Sequence, residues 1–140
     1  MIDSEIIKEL LKEMGENLNI LAKLREMSLK EFLADPKNSK AAERCLQINI
    51  QCFLDICHHI IAGNNWARPR DNREAIEIIA RHKIISEKFL KIILPMAGLR
   101  NILVHEYIKV NPAIIYRHLK RLQDFSQFQK YILAYLKKPA

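Results

Sequence analysis

The sequence predicts an all-α fold: one domain, residues 1–140, built as an up-and-down bundle of about five main helices. The 140 residues are 49% hydrophobic, enough to bury a core without disulfides. Only three Gly and five Pro are present, which favours few turns, and no segment has the strict alternation of a half-buried strand. Early in the chain, apolar residues recur at helical spacing at Ile7, Leu11, Met14, Leu18 and Leu21.

The first helix is expected over residues 4–33. Ser4 can cap its start, and Asp35-Pro36 should end it, because the residue before a proline disfavours helical geometry. The face opposite the apolar stripe carries charges at three- and four-residue spacing. That face should be solvated or turned toward a partner.

The second helix is expected over residues 40–62, with Asn38 or Ser39 as its cap and Gly63 as its stop. Its apolar residues cover well over half of its circumference, so it should lie at the centre of the bundle. The cysteines all fall within this apolar pattern and are expected to be reduced core thiols, at Cys45, Cys52 and Cys57.

Helix caps and prolines divide the second half of the chain. Asp71 and Glu74 have capping-box spacing at the start of a short helix that should run to about Arg81. Ser86 can cap a further segment, which Pro95 should kink or break because proline lacks an amide donor.

A new helix is expected from Met96. Asn111-Pro112 then marks the start of the last helix, since asparagine caps well and proline suits the first helical position. That helix should run as one piece to about Lys137. Its inward face is expected to be Ile115, Leu119, Leu122, Phe125, Phe128 or Gln129, Ile132 and Leu136.

The net charge of +7 is unevenly distributed. Residues 1–63 hold eight Lys or Arg against ten Asp or Glu, whereas residues 109–140 hold seven against one. A basic last third suits a polyanion such as RNA, or simple solvation, and charge alone does not choose between them. The weak candidates for RNA contacts in this region are Arg117, Lys120 and Arg121.

Several function classes are disfavoured. No run approaches the roughly 18 apolar residues of a membrane span, and the acidic, polar start is unlike a secretory signal, so a soluble cytoplasmic protein is expected. No Gly-rich phosphate loop is present. Cys57-His58-His59 contains metal-ligand types, but consecutive helical residues point about 100° apart, so neither a metal site nor a cofactor is expected.

The segment Arg100 to Tyr107 reads Arg-Asn-Ile-Leu-Val-His-Glu-Tyr. Its pattern, Arg-x4-His-x-Tyr, resembles that of the HEPN-domain ribonuclease toxins of the HepT-like family, small all-helical prokaryotic proteins encoded beside a nucleotidyltransferase antitoxin. Roughly residues 40–135 are family-like, and the other segments that share the resemblance are Met96-Ala97-Gly98-Leu99, the helix ending at Leu54–Ile61, and Arg73–Glu77.

The motif residues suit metal-independent RNA cleavage. That reaction needs a base for the 2′-hydroxyl, an acid for the leaving 5′-oxygen and a cation for the phosphate. Histidine suits both proton roles and arginine suits the phosphate, so His105 and Arg100 are the candidate catalytic residues. Asn101 is expected to orient His105 or to bind a phosphate oxygen.

One motif supplies only one histidine. In an ideal helix Arg100 and His105 lie about 140° apart, so a straight helix would not bring them together. Either the helix unwinds near His105, or another chain completes the site. A symmetric dimer would supply two histidines and two arginines, and the resemblance implies such a homodimer, with the active cleft at its interface.

The resemblance implies the toxin component of a type II or type VII-like toxin–antitoxin system, silenced by its cognate nucleotidyltransferase. It also implies that the antitoxin adenylylates (AMPylates) the hydroxyl of Tyr107. An added AMP would place a bulky anion where the substrate phosphate must sit. Tyr107 could instead stack on RNA or donate a hydrogen bond to it.

Two further residues, Asp55 and Trp66, each have two possible roles. Asp55 is either a carboxylate hydrogen-bonded across the bundle or a group that orients Arg100 or His105. Trp66 lies in a loop with Arg68 and Arg70; it either packs on the edge of the domain or stacks on a nucleotide.

Two other function classes remain open. One is a non-catalytic helical subunit that binds a nucleotidyltransferase and contributes to substrate binding without cutting. The other is a small helical RNA chaperone that acts through the basic last helix. The first predicts a stable complex without RNA turnover, and the second predicts RNA binding with a steep salt dependence.

Overall fold

The computed structural model describes residues 2–104 and 110–138. In these two ranges the chain is all-helical, as predicted, with eight α-helices and no strand. The helices are α1 Ser4–Arg25, α2 Leu29–Ala34, α3 Pro36–Gly63, α4 Asn72–Arg81, α5 Glu87–Ile93, α6 Met96–Val104, α7 Pro112–His118 and α8 Gln123–Lys137, and a 3-10 turn, Leu119–Arg121, precedes α8. The count exceeds the predicted five or so main helices because two expected helices are divided and because the short helices α4, α5 and α6 are each counted separately.

The prediction of a single helix over residues 4–33 is wrong. It is two helices, because Ser28 starts a new one with a full capping box: its Oγ accepts from the Glu31 amide at 3.1 Å, and Glu31 Oε1 accepts from the Ser28 amide at 3.3 Å. The cap of α1 is Asp3 rather than Ser4, with Asp3 Oδ1 accepting from the amides of Glu5 and Ile6.

Asp35-Pro36 ends one helix and begins the next. Asp35 caps α3, accepting from the Lys37 amide at 3.0 Å, and Pro36 occupies the first turn, where no amide donor is needed. The second helix therefore starts four residues before position 40, and neither Asn38 nor Ser39 is its cap. Its end at Gly63 is confirmed.

The prediction that α3 lies centrally is confirmed. It packs against α1, α2, α4, α6, α7 and α8. Phe53 and Phe128 meet edge to face with ring centroids 4.5 Å apart, and Ile56, Cys57 and Ile60 are fully buried beside them. Among the described helices only α3 is long and apolar enough to span a membrane by length and composition, but 61% of its most apolar window is buried inside the bundle.

The caps expected in the second half are confirmed. Asp71 Oδ1 accepts from the Glu74 amide at 2.8 Å, Ser86 Oγ from the Phe89 amide at 3.0 Å, and Asn111 Oδ1 from the Ala113 amide at 2.9 Å. α5 and α6 are separate helices on either side of Pro95, as predicted. The last helix is not continuous, since the 3-10 turn separates α7 from α8.

The cysteines are buried, free thiols, in agreement with the core prediction. Burial raises the pKa of Cys52 to about 11, and the carboxylates of Glu13 and Asp55 add to the shift. Burial likewise raises the pKa of Cys57. Both thiols are therefore protonated at neutral pH and weakly nucleophilic.

His118 is half-buried at the end of α7. It lines a small cavity of about 60 Å³ with Leu46, Arg121 and Phe125 among its neighbours. Burial, together with the charges of Arg121 and Arg117, lowers the pKa of His118 below its ordinary value near 6.5.

His118 should therefore weaken the fold at acid pH. As the pH falls below about 6.5, the unfolded chain takes up a proton that the folded chain resists, so stability is full above that pH and declines below it. Replacing His118→Gln should reduce the fall in Tm between pH 7.5 and pH 5 by about 1 to 3 °C. Thermal unfolding followed by circular dichroism measures this. The exposed His59→Gln variant is the control, and an equal change in both variants would contradict the assignment.

Candidate functional site

The candidate site is built on α6, which carries Arg100 and Asn101 and packs against α3. Only Leu103 of α6 is fully buried, at 3% exposure, whereas Ile102 is 49% exposed. Arg100 is half-buried and Asn101 is exposed. The helix therefore lies on the surface of the bundle, anchored along one edge.

The guanidinium of Arg100 is held by a chain of hydrogen bonds to α3. Arg100 Nε donates to Gln51 Oε1 at 3.3 Å, and Gln51 Nε2 donates to Asp55 Oδ1 at 2.8 Å. Arg100 Nη1 also donates to Asn101 Oδ1 at 3.3 Å. The Gln51 amide thus accepts from a cation and donates to a carboxylate, an arrangement in which each bond polarises the other.

The geometry supports the interpretation that Asp55 orients Arg100, but it does so indirectly, through Gln51. Asp55 accepts from Gln51 one turn earlier on the same helix, and it reaches Arg100 through that amide. Sequence reasoning missed Gln51. The available signal was its four-residue spacing from Asp55, which places both polar side chains on one face of an otherwise apolar helix.

Two predicted site residues, the candidate catalytic His105 and the candidate modification site Tyr107, lie outside the described residues. Among the described residues, the structure brings Arg100 and Asn101 together with Gln51 and Asp55.

A groove of about 520 Å³ runs beside α6. Asn101 and Gly98 line one side, and Asn72 and the exposed Arg73 of α4 line the other. His58 Nε2 lies 3.0 Å from Asn72 Oδ1, which fixes that amide. In the part of the chain that the structure describes, no atom outside the neighbours of Gly98 and the backbone of its own helix lies within 4 Å of where a Cβ on Gly98 would be. Arg73 adds a cation to the groove and Asp71 adds a carboxylate, and the sequence analysis assigned neither to the site.

The three weak RNA candidates differ in their surroundings. Arg117 and Lys120 are exposed. Arg121 forms an ion pair with Asp124, with its Nε 3.2 Å from Oδ2, and Asp124 is only 8% exposed. Part of the charge of Arg121 is therefore committed within the chain, which makes it the weakest of the three candidates.

Trp66 packs at the edge of the domain, which confirms the first of its two sequence interpretations. Its ring stacks on His82, with centroids 3.5 Å apart and planes within 5°. Arg70 is bound to Glu74, with Nη2–Oε2 at 2.7 Å. This bond raises the pKa of Arg70, and the backbone and side chain of Arg70 lower the pKa of Glu74. Arg68 is exposed.

Across residues 2–104 and 110–138, no cluster of three or more metal-ligand side chains occurs. In the Cys57-His58-His59 run, Cys57 is buried in the core, His58 is bonded to Asn72, and His59 is exposed. These three side chains therefore point to three different environments.

The chain is similar to known proteins over nearly its full length. Residues 2–132 match the family model described as ribonuclease HepT-like. A tRNA nuclease HepT of Aphanizomenon flos-aquae is 31% identical over 136 residues, which cover 96% of this chain and 92% of that protein. An mRNA nuclease HepT of Shewanella oneidensis is 31% identical over 84 residues, 59% of this chain and 63% of that protein.

Solved structures match the fold. A tri-AMPylated Shewanella oneidensis HEPN toxin in complex with an MNT antitoxin superposes with a TM-score of 0.83 at 25% identity, covering 96% of this chain and 99% of that one. A cytosolic protein of unknown function from Bacillus subtilis superposes with a TM-score of 0.83 at 23% identity, covering 97% and 92%. The second match supports the fold alone.

Proposed function

Because the chain belongs to the ribonuclease HepT-like family, we propose that it is the toxin of a toxin–antitoxin pair, an endoribonuclease silenced by a nucleotidyltransferase. The observation that carries the proposal is the position of Arg100, five residues before the motif histidine: its guanidinium is held by Gln51 and bonded to Asn101, which lines an open groove. The nuclease relatives support the reaction class, and the toxin–antitoxin complex supports the partner.

In the proposed reaction, His105 takes the proton from the 2′-hydroxyl and the 2′-oxygen attacks the adjacent phosphorus. The bond from phosphorus to the 5′-oxygen breaks, and a second imidazolium protonates the leaving oxygen. The products are a 2′,3′-cyclic phosphate and a 5′-hydroxyl. Arg100 stabilises the negative charge on the phosphoryl oxygens, and Asn101 binds one of them or orients His105. Because Arg100 and two copies of His105 supply the cation and both proton transfers, we propose a metal-independent mechanism.

The second histidine comes from a second copy of the chain in this proposal. Ile92 on α5 and Ile102 on α6 are exposed, at 36% and 49%, on the helices that flank the motif. A homodimer through these helices would cover both side chains and bring two motifs to one cleft. The groove beside Gly98 lies along the same helix and would lead RNA to that cleft.

The antitoxin is proposed to act on Tyr107. The Shewanella toxin that shares this fold is described as tri-AMPylated and bound to its antitoxin. AMP groups on the phenol would add negative charge to the motif, and that charge would compete with the substrate phosphate. The proposed location of the pair is the cytoplasm, where RNA, ATP and the antitoxin are all available.

Removing either catalytic residue should abolish cleavage. His105→Ala and Arg100→Ala should each lower kcat on RNA by about 10² to 10⁴, since a general base and a fixed phosphate ligand are each worth that much. Cleavage of a labelled RNA, scored on gels with and without a chelator, measures this. A 2′-deoxy nucleotide at the cut site should block the reaction.

The matched control for that experiment is His59→Ala, an exposed histidine on α3 that should retain wild-type activity. Undiminished cutting by His105→Ala, or equal cutting of the 2′-deoxy substrate, would rule out the proposed mechanism. A stable antitoxin complex with no RNA turnover by the free toxin would instead favour the non-catalytic subunit.

Gln51 should act as a positioning residue for Arg100. Gln51→Leu removes the acceptor for Arg100 Nε and the link to Asp55, so kcat should fall about tenfold while Tm stays close to that of the wild type. The control is Gln47→Leu, one turn earlier on α3, where the amide contacts Arg44 instead. Equal kcat values for the two variants would show that the Gln51 bond does not orient Arg100 during catalysis.

Tyr107 should be the residue that accepts AMP. Incubation with the cognate nucleotidyltransferase and ATP should add whole AMP units to the wild type and to the control Tyr131→Phe, but not to Tyr107→Phe. Intact mass spectrometry measures the additions. Modification of Tyr107→Phe to the same extent would place the acceptor elsewhere.

A further inference from the structure

A second cleft, of about 370 Å³, lies at the end of the bundle where α3, α4 and α8 end. Tyr131 and Tyr135 of α8 form one wall, and His82 and Lys83, which follow α4, form the other. Lys138, which follows α8, completes the lining. No residue in the set that lines this cleft is acidic.

The aromatic rings of the cleft are already fixed. His82 is stacked on Trp66 with ring centroids 3.5 Å apart. The Tyr135 hydroxyl accepts from Asn64 Nδ2 at 2.9 Å, and the Tyr131 hydroxyl lies 3.1 Å from Ser86 Oγ. Flat rings held in place lose little conformational freedom when another ring stacks on them, which favours binding of a planar group.

Lys83 occupies a backbone position that normally suits glycine. Its φ is 60°, and it ends α4 in a Schellman motif, with the Lys83 amide donating to Ala80 O and the Ile84 amide to Ile79 O. Asn65 ends α3 in the same way at φ 57°, but asparagine tolerates this region whereas lysine rarely adopts it. A lysine kept in a strained conformation points to a use for its side chain.

The charges favour an anionic ligand bound by side chains. α3, α4 and α8 all present their C-terminal ends here, and the partial negative charge of these ends opposes an anion, so any phosphate must be held by side chains. Lys83 and Lys138 are exposed and supply the positive charge instead. Fixed aromatic faces beside lysines are the combination that binds single-stranded nucleic acid.

We propose that this cleft is an RNA-binding site separate from the cleavage centre. A base of single-stranded RNA stacks against His82, extending the Trp66–His82 stack, and Lys83 and Lys138 bind the flanking phosphates. Asn64 and Gln51 lie thirteen residues apart on α3, so the cleft is about 20 Å from the Arg100 anchor. At about 3.4 Å per stacked nucleotide, an RNA of roughly six nucleotides or more would reach both. The proposal rests on the proposed function in that it takes the RNA to be the substrate.

Trp66 is the only tryptophan in the chain and reports on the cleft through His82, on which it is stacked. The probe is a ten-nucleotide 2′-O-methyl RNA, which a 2′-hydroxyl mechanism cannot cleave, titrated into the full-length protein while Trp66 fluorescence is recorded. His82→Ala should weaken binding at least about fivefold, the lower limit for one stacked base. The control His59→Ala should bind like the wild type.

Lys83→Gly separates binding from folding. Glycine relieves the strained φ, so Tm should rise by a few degrees while affinity falls severalfold and the salt slope of binding decreases by about 0.7. Asn65→Gly makes the same backbone change at the end of α3 without removing a cation, and it should leave affinity unchanged. Equal affinities of Lys83→Gly and Asn65→Gly for the probe would overturn the proposal.

Binding and cleavage are measured separately, so the two proposals can fail separately. If probe binding depends on His82 and Lys83 but the protein cuts no RNA, the proposed RNA-binding cleft stands and the proposed nuclease activity is wrong. If Lys83→Gly cleaves long RNA with an unchanged KM, the proposed nuclease activity stands and the proposed RNA-binding cleft is wrong. AMP binding as tightly as the ten-nucleotide probe would also reject the cleft as an RNA site.

Discussion

The structure depends on α3, a helix that must be buried on most sides and still present polar groups at one point. Its apolar residues contact six other helices, and Phe53, Ile56 and Ile60 are fully buried. Gln51 is placed on the one face that α6 covers only partly. Burial of α3 fixes the backbone of that face, so the Gln51 amide can hold Arg100 without the entropy cost of ordering a flexible support.

Helix type and helix centre could be predicted from the sequence because both depend on periodicity. The boundaries were harder, because one dipeptide can act in two ways. Asp35-Pro36 has the features of a stop for the preceding helix, but the same aspartate caps α3 and the same proline opens it. The break at Ser28 was missed for a related reason: the apolar stripe continues across it, and only the Ser28–Glu31 capping box marks the new start.

The candidate site likewise has a part that could be predicted from the sequence and a part that could not. Arg100 was identified as a candidate from local spacing within an octapeptide, and it lies on α6, the helix expected from Met96. Its support could not be identified locally, since Gln51 lies 49 residues earlier and reaches Arg100 only through the packing of α6 on α3. Arg73, across the groove from Asn101, was hidden for the same reason, because α4 and α6 come together only in three dimensions.

Two arguments support the proposed second copy of the chain, one from chemistry and one from packing. The proposed reaction requires two proton transfers at different oxygens, and the motif contains a single histidine. Independently, α6 is apolar but buries only Leu103 completely and leaves Ile102 half-exposed. A monomer would keep that apolar surface in water, whereas association along α6 would remove it, at about 25 cal/mol for each Å² covered. In the proposed homodimer the helix that associates would be the helix that carries Arg100, so one step would cover the exposed Ile102 and bring two copies of the motif together.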